Sequence, residues 1–355
     1  MRWSLKKLYT SFDSPEFLDD LKRLDSLIEE FSNWADANLS TRDNPVEKME
    51  RFIKYSQKVS SLFTKLISFT SLTLSVESTN EIAQKYHDKL AVKGSNLTRP
   101  NVQFQSFLKE LDNLEELIDT SELLKEHKFY LEEIKRQSKY MLSEKEEVLI
   151  SKLVNTGSSA WSNLQNKITS TLMVEVNING EVKSLPLPAA RNLAYDKDPN
   201  IRKAGYEAEL KAYKKIEESS AAALNSIKGE VITLAELRGY KSPLEETLVQ
   251  SRMDKETLDA MFTAIKEFLP VFRKYYRRKA EILGYKNGLP FYELFAPIGK
   301  VNRTFTYDEA MDYIIKNFRT FSDKLADFAK HAYENNWLDV EPREGKRGGA
   351  FCSNL

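Results

Sequence analysis

Three histidines, His87, His127 and His331, and one cysteine, Cys352, are the side chains of this 355-residue chain best suited to hold a metal ion or attack a substrate. One helix can offer two ligands to a zinc ion when its histidines stand four residues apart. No two of these histidines lie that close, so no helix presents such a pair. Each sits in a charged helical context (KYHDKL, KEHKFY, AKHAYE), where a solvated surface histidine is expected. Cys352 has no partner nearby in sequence and reads as a small buried hydrophobe. The chain contains no G-x-S-x-G nucleophile motif and no glycine-rich phosphate loop. Carboxylate pairs such as Glu132-Glu133 and Glu245-Glu246 read as solvated faces in a chain with 30% charged residues. The cluster RKYYRRK, Arg273 to Lys279, mixes bases and aromatics as a single-strand nucleic-acid surface does. Helical spacing, however, sets Tyr276 with Phe272 and Leu283 and turns Arg277 and Arg278 outward, as on an ordinary solvated helix.

Composition narrows the field further. Lys plus Arg and Asp plus Glu both number 53, giving zero net charge and no long-range pull toward a polyanion or a membrane. The opening MRWSLKKLYT lacks the apolar region of an export signal. The most apolar later stretch, LFTKLISFTSLTLSV, is short for a bilayer and carries Lys, Ser and Thr. A single cysteine excludes an internal disulfide framework and suits a reducing compartment. The expectation is a cytoplasmic protein with no nucleic-acid and no membrane partner.

The elements that must position any site are mostly helices, because apolar residues recur at spacings of three and four. Ser14-Pro15 opens a helix whose inner face carries Phe17, Leu21, Leu24, Ile28 and Phe31. Ser143 with Glu146 forms a capping-box pattern ahead of core residues Leu149 and Leu153. After a break at Asn155-Thr156-Gly157, Trp161, Leu164, Ile168 and Leu172 make the next apolar face. Val174, Val176 and Ile178 alternate with polar residues, and Asn179-Gly180 suits a type I′ turn, so 174–185 is predicted as a hairpin ended by Pro186 and Pro188. Asp198-Pro199 then begins the longest helical pattern, running to Gly239 and on the order of 60 Å long if unbroken. Small residues at Gly205, Ala208, Ala212 and Ala223 would let neighbours approach closely. Two further helices are predicted from Asp254 to Leu269 and from Phe272 to Leu283, with Gly284 at the C′ position. Thr306 with Glu309 caps a last apolar face through Ala310, Ile314, Phe321, Leu325 and Phe328.

Four stretches resemble the oligoendopeptidase F family of zinc metallopeptidases, related to thimet oligopeptidase. They are WSLKKLYTSFDSPEFLDDLKRL, YMLSEKEEVLISKLVNTGSSAWSNLQNKITSTL, LPLPAARNLAYDKDPNIRKAGYEAELKAY and DVEPREGKRGGAFC, in order from Trp3 to Cys352. The resemblance implies a mainly α, two-lobed protein with a channel between the lobes in which oligopeptide substrates are cut. It also implies a division into an N-terminal helical region (1–110), a family-type N-terminal domain with the hairpin (111–188) and the start of the catalytic domain (189–355). Family members hold zinc with an H-E-x-x-H helix and a later Glu, whose intervening Glu is the general base toward zinc-bound water. No position in this sequence matches those ligands or that base. Zinc is therefore implied for the full-length family, with none expected on this chain, and the chain reads as an N-terminal part that is inactive alone. By the same resemblance Gly348, Gly349, Ala350 and Phe351 belong to a C-terminal strand beside the cleft, where main-chain pairing would hold a peptide and the glycines allow close approach. A turn leading into an ordinary buried strand is the equal alternative for that segment. Two other readings remain: half of a split peptidase completed by a C-terminal catalytic half, and a non-catalytic peptide-binding protein.

Overall fold

The computed structural model describes residues 1–299 and 303–353. Its first layer is a helical bundle built around α1 (Pro15–Asn38) and α2 (Pro45–Val76), flanked by α3 (Glu81–Ser95) and α4 (Thr98–Lys109). Short helices α5 (Leu114–Ile118) and α6 (Glu122–Glu126) lead to α7 (Lys128–Gln137). The Ser14 side chain accepts from Phe17 N and satisfies one of the free donors at the start of α1, as the sequence predicts. Phe17, Leu24, Ile28 and Phe31 are buried, while Leu21 packs at the edge of the core. Phe52 of α2 and Phe104 of α4 stack face to face at its centre, and Tyr9, Phe17, Phe69 and Tyr86 close one end with edge-to-face contacts. By length and composition α2 could cross a membrane; here half of its most apolar stretch is buried inside the bundle.

A second pair, α8 (Glu144–Thr156) and α9 (Ser158–Thr171), follows a capping box in which Ser143 and Glu146 each satisfy the other's backbone. The inward stripe expected on α8 is turned outward: Leu149 and Leu153 are both 57% exposed. Glu147 faces inward instead and pairs with Arg238 at 2.8 Å. On α9 Leu172, just past the helix, is buried and Leu164 is exposed. Nothing in the described chain lies over the outer side of α8, so its apolar spacing has no partner.

The predicted hairpin forms. Strands β1 (Met173–Ile178) and β2 (Glu181–Pro186) pair antiparallel with Ile178 opposite Glu181. Asn179 and Gly180 adopt φ of 55° and 90°, the left-handed pair that a type I′ turn requires. Val174 and Val176 point into a small second core with Leu187 and Ala212. A short α10 (Leu187–Asn192) then leads to α11 (Pro199–Tyr213).

The single long helix expected from Asp198 to Gly239 is broken. It ends at Tyr213 and resumes as α12 (Glu217–Leu237). No proline or glycine marks the break. Gly205 of α11 sits so close to Leu193 that a Cβ would lie 2.9 Å from the Leu193 Cβ, while α12 packs along α9. There Glu230 accepts from Ser158 N at 2.7 Å and serves the otherwise open start of α9. The two segments serve different neighbours, and one straight rod does not reach both.

After α13 (Pro243–Gln250), the two helices expected between Asp254 and Leu283 are one, α14 (Lys255–Ile282), which passes through Pro270. Its end is as predicted: Gly284 has φ +84° and Tyr285 N donates back to Ala280 O at 2.8 Å. Only the last turns are seated, where Lys279 and Ala280 are buried. The apolar stripe of Phe262, Ile265, Phe268, Leu269, Phe272 and Tyr276 is exposed, with Phe268 at 59%. Helices α15 (Tyr307–Phe321) and α16 (Asp323–Glu334) pack on each other as a hairpin. Ile314, Phe321, Leu325 and Phe328, expected in a core, are likewise exposed.

The C-terminal strand expected from the sequence is not formed among the described residues: 348–353 is irregular chain and the hairpin is the one sheet there. A strand needs a neighbour with which to exchange backbone hydrogen bonds, and none lies alongside. Cys352 is exposed rather than buried for the same reason. Asn354 and Leu355 lie outside the described residues.

Candidate functional site

The segment that carries the candidate residues is anchored by one acid. Asp339, with its carboxylate nearly inaccessible, accepts from Arg343 Nη1 at 2.8 Å and Lys346 Nζ at 2.7 Å. Burial works against its charge, yet these two hydrogen-bonded cations hold its carboxyl below the usual range. Lys346 also donates to the carbonyls of Asp339 and Glu341, which draws 339–346 into a compact loop. Gly345, at φ +77°, donates to Ser170 O at 3.0 Å and accepts from Ser78 N at 2.9 Å. Arg347 N donates to Ser75 O at 2.9 Å. Residues 345–347 therefore bridge the ends of α2 and α9.

The other end of the chain braces the same loop. Ser4 N donates to Asn336 O at 2.8 Å, Val340 N to Met1 O at 3.1 Å, and the Trp3 ring meets Phe351 edge-on at 6.3 Å. Beyond Arg347 the chain is open. Gly348 faces Pro188, Gly349 has φ +89° with open space where a Cβ would stand, and Ala350 and Phe351 are exposed. Among the described residues, Gly348, Gly349, Ala350 and Phe351 donate no backbone hydrogen bond to another backbone group.

No catalytic group converges on them. Among the described residues no three His, Cys, Asp or Glu side chains are grouped to hold a metal ion, so the residues present do not fit the zinc that the family implies. The histidines stand apart, and two are not the solvated side chains expected. His127 is half-buried with Nδ1 2.9 Å from Leu123 O. His87 is half-buried with Nδ1 3.2 Å from Thr70 Oγ1. Burial holds the His87 imidazole below its usual 6.5, opposed in part by Asp88. In the unfolded chain this ring takes up a proton as the pH falls through 6.5; in the folded chain it resists. Folding is therefore expected to lose stability as pH drops below 6.5, with no contribution from His87 above that value. Denaturant melts from roughly pH 7.5 to 5 check this: His87→Gln is expected to flatten that part of the profile, and an unchanged slope refutes it.

A buried cluster in the C-terminal region escaped the sequence. Glu293, fully inaccessible, accepts from Arg202 Nη2 at 2.5 Å and Nε at 3.1 Å, and from the Tyr285 hydroxyl at 3.1 Å. Arg202 also donates to the carbonyls of Asp196 and Lys197. Burial and the Glu293 bond push the Tyr285 phenol up to about 12. Lys279 Nζ donates to Leu294 O at 2.8 Å, and desolvation lowers its pKa. The cluster ties α11 to the end of α14 and the turn after it. Its bonds run between separate elements, so it is built to hold them together. No short-range spacing connects residues 202 and 293.

The described residues form a helical fold with one small hairpin and an irregular C-terminal segment. A family model described as oligopeptidase F matches residues 110–173, and one described as peptidase family M3 matches residues 192–355. The chain belongs to the M3 peptidase family, on its oligoendopeptidase F branch. It is similar over 99% of its length to oligopeptidase PepF of Bacillus subtilis, at 25% identity and covering 52% of that protein. An oligoendopeptidase F homolog of Lactococcus lactis is 24% identical over 99% of the chain, with 58% of that protein covered. The chain thus spans about half the length of the curated relatives it matches. The crystal structure of oligoendopeptidase-F from Enterococcus faecium superposes with a TM-score of 0.73 at 17% identity, over 91% of this chain and 66% of that one. PZ peptidase A gives 0.69 at 14% identity, over 93% and 56%. These likenesses establish the fold.

Proposed function

We propose that this chain supplies the N-terminal half of an oligoendopeptidase F-type zinc metallopeptidase: one lobe, part of the wall of a channel for oligopeptides, and the edge at Gly348 to Phe351 on which a substrate backbone pairs. The division into 1–110, 111–188 and 189–355 and a cytoplasmic location belong to the same reading. Zinc and the general base come with a C-terminal catalytic half, and the 355 residues alone hydrolyse nothing, since they hold no H-E-x-x-H.

One observation carries this. In a chain that spans about half of its relatives, α14 is a 28-residue amphipathic helix whose whole apolar stripe lies open. Soluble proteins rarely leave a contiguous apolar patch of this kind uncovered, and such patches mark interfaces. It favours a half that docks on another over a free-standing peptide-binding protein. The test uses the purified chain and an unstructured short peptide. Expected are no turnover by the chain alone and chelator-sensitive turnover once it is combined with a C-terminal half bearing H-E-x-x-H. Stoichiometric zinc uptake with cleavage by the chain by itself would overturn the reading.

A further inference from the structure

Under residues 345–347 lies a cavity of about 250 Å³, walled by the end of α2, by α3, by α9 and by Arg347. Two of its side chains are cations, Lys167 and Arg347. Among the described residues neither meets a carboxylate; Arg347 Nη2 donates to Asn166 Oδ1 at 3.1 Å. Both side chains are exposed at the mouth of the hollow, so they can reach a ligand that enters from solvent. No Asp or Glu stands in the wall, and Asp88 on α3 is engaged by the Gln84 amide at 2.7 Å. The Ser71 and Ser78 hydroxyls and the His87 ring complete a lining rich in hydrogen-bonding groups. Two unmatched cations facing one hollow are a receptor for an anion, because charge-assisted hydrogen bonds to a carboxylate are the strong ones.

We infer that this cavity takes the free carboxylate terminus of the bound peptide and thereby fixes the direction in which the peptide lies. The inference rests on the substrate edge proposed above and adds to it. Arg347 directly precedes Gly348, and a strand advances about 3.3 Å per residue. A peptide paired antiparallel to Gly348–Phe351 brings its carboxylate end to the cavity. A parallel one brings its ammonium end, which Lys167 and Arg347 repel. The backbone of 345–347, held by three main-chain hydrogen bonds to Ser75, Ser78 and Ser170, presets the distance between cavity and edge.

The experiment compares binding to the full chain of one short unstructured peptide, prepared as the free acid and as the C-terminal amide. The acid is expected to bind about tenfold more tightly. Lys167→Met and Arg347→Met are each expected to bring the acid toward the amide's affinity and leave the amide unchanged, while Arg347→Lys keeps part of the difference. Unchanged melting of the variants establishes that their fold is intact. Equal, measurable binding of acid and amide overturns the cavity assignment and leaves the peptide-binding reading standing. Binding of neither overturns both. Inorganic phosphate that occupies the cavity without any acid–amide difference marks an oxyanion site unrelated to substrate and also overturns the assignment.

Discussion

Replacing Glu293 with alanine is expected to destabilise the C-terminal region by about 3–5 kcal/mol, the cost of stranding a buried charge. Glu293 is fully buried and Arg202 nearly so, and among the described residues Glu293 is the one acid paired with the guanidinium. The alanine variant keeps the two carbonyl bonds of Arg202 and loses the countercharge. Tyr285 loses its acceptor at the same time. Replacing both partners with apolar residues, Arg202→Met with Glu293→Leu, is expected to cost much less, because such pairs offer little net stability over a packed hydrophobic equivalent. Urea melts of the two variants decide it. An alanine variant as stable as the parent, or a double variant as damaged as the single, contradicts a charge-pairing role for the cluster.

The exposed stripe of α14 predicts the opposite separation of stability from function. Phe268→Ser with Phe272→Ser is expected to leave the melting of the isolated chain within about 0.5 kcal/mol, because both rings are more than half exposed and have little packing to lose. Reconstitution with a C-terminal half should fail. Two aromatic anchors at the middle of an interface are worth roughly 2 kcal/mol each, so association is expected to weaken by about a thousandfold. Arg277→Ser with Arg278→Ser, on the same helix, is the comparison and is expected to change association little. A serine pair that reconstitutes peptidase activity as well as the parent removes α14 from the interface.

Much of the local structure was legible in the sequence. Ser14, Ser143 with Glu146, Asp254 and Thr306 with Glu309 cap helices as their residue types predict, and Asn179-Gly180 makes the turn. These signals are contained within four residues, where a side chain reaches its own backbone and no distant element intervenes. Ordered stretches of the family pattern were legible on the same terms, and they led to the M3 peptidases. The helical period also marked apolar stripes correctly. What it could not say was whether a stripe is covered: that of α1 joins the core, while those of α8, α14 and α15 lie open.

Only the tertiary structure decided the rest. The break between α11 and α12, the bond between Glu293 and Arg202 across 91 residues, and the meeting of Lys167 with Arg347 at one cavity all depend on where separate elements come to rest. Periodicity fixes which side of a helix is apolar, because that follows from 3.6 residues per turn. It is the packing of one element against another that fixes which charges meet, and that is set by contacts between residues far apart in the chain.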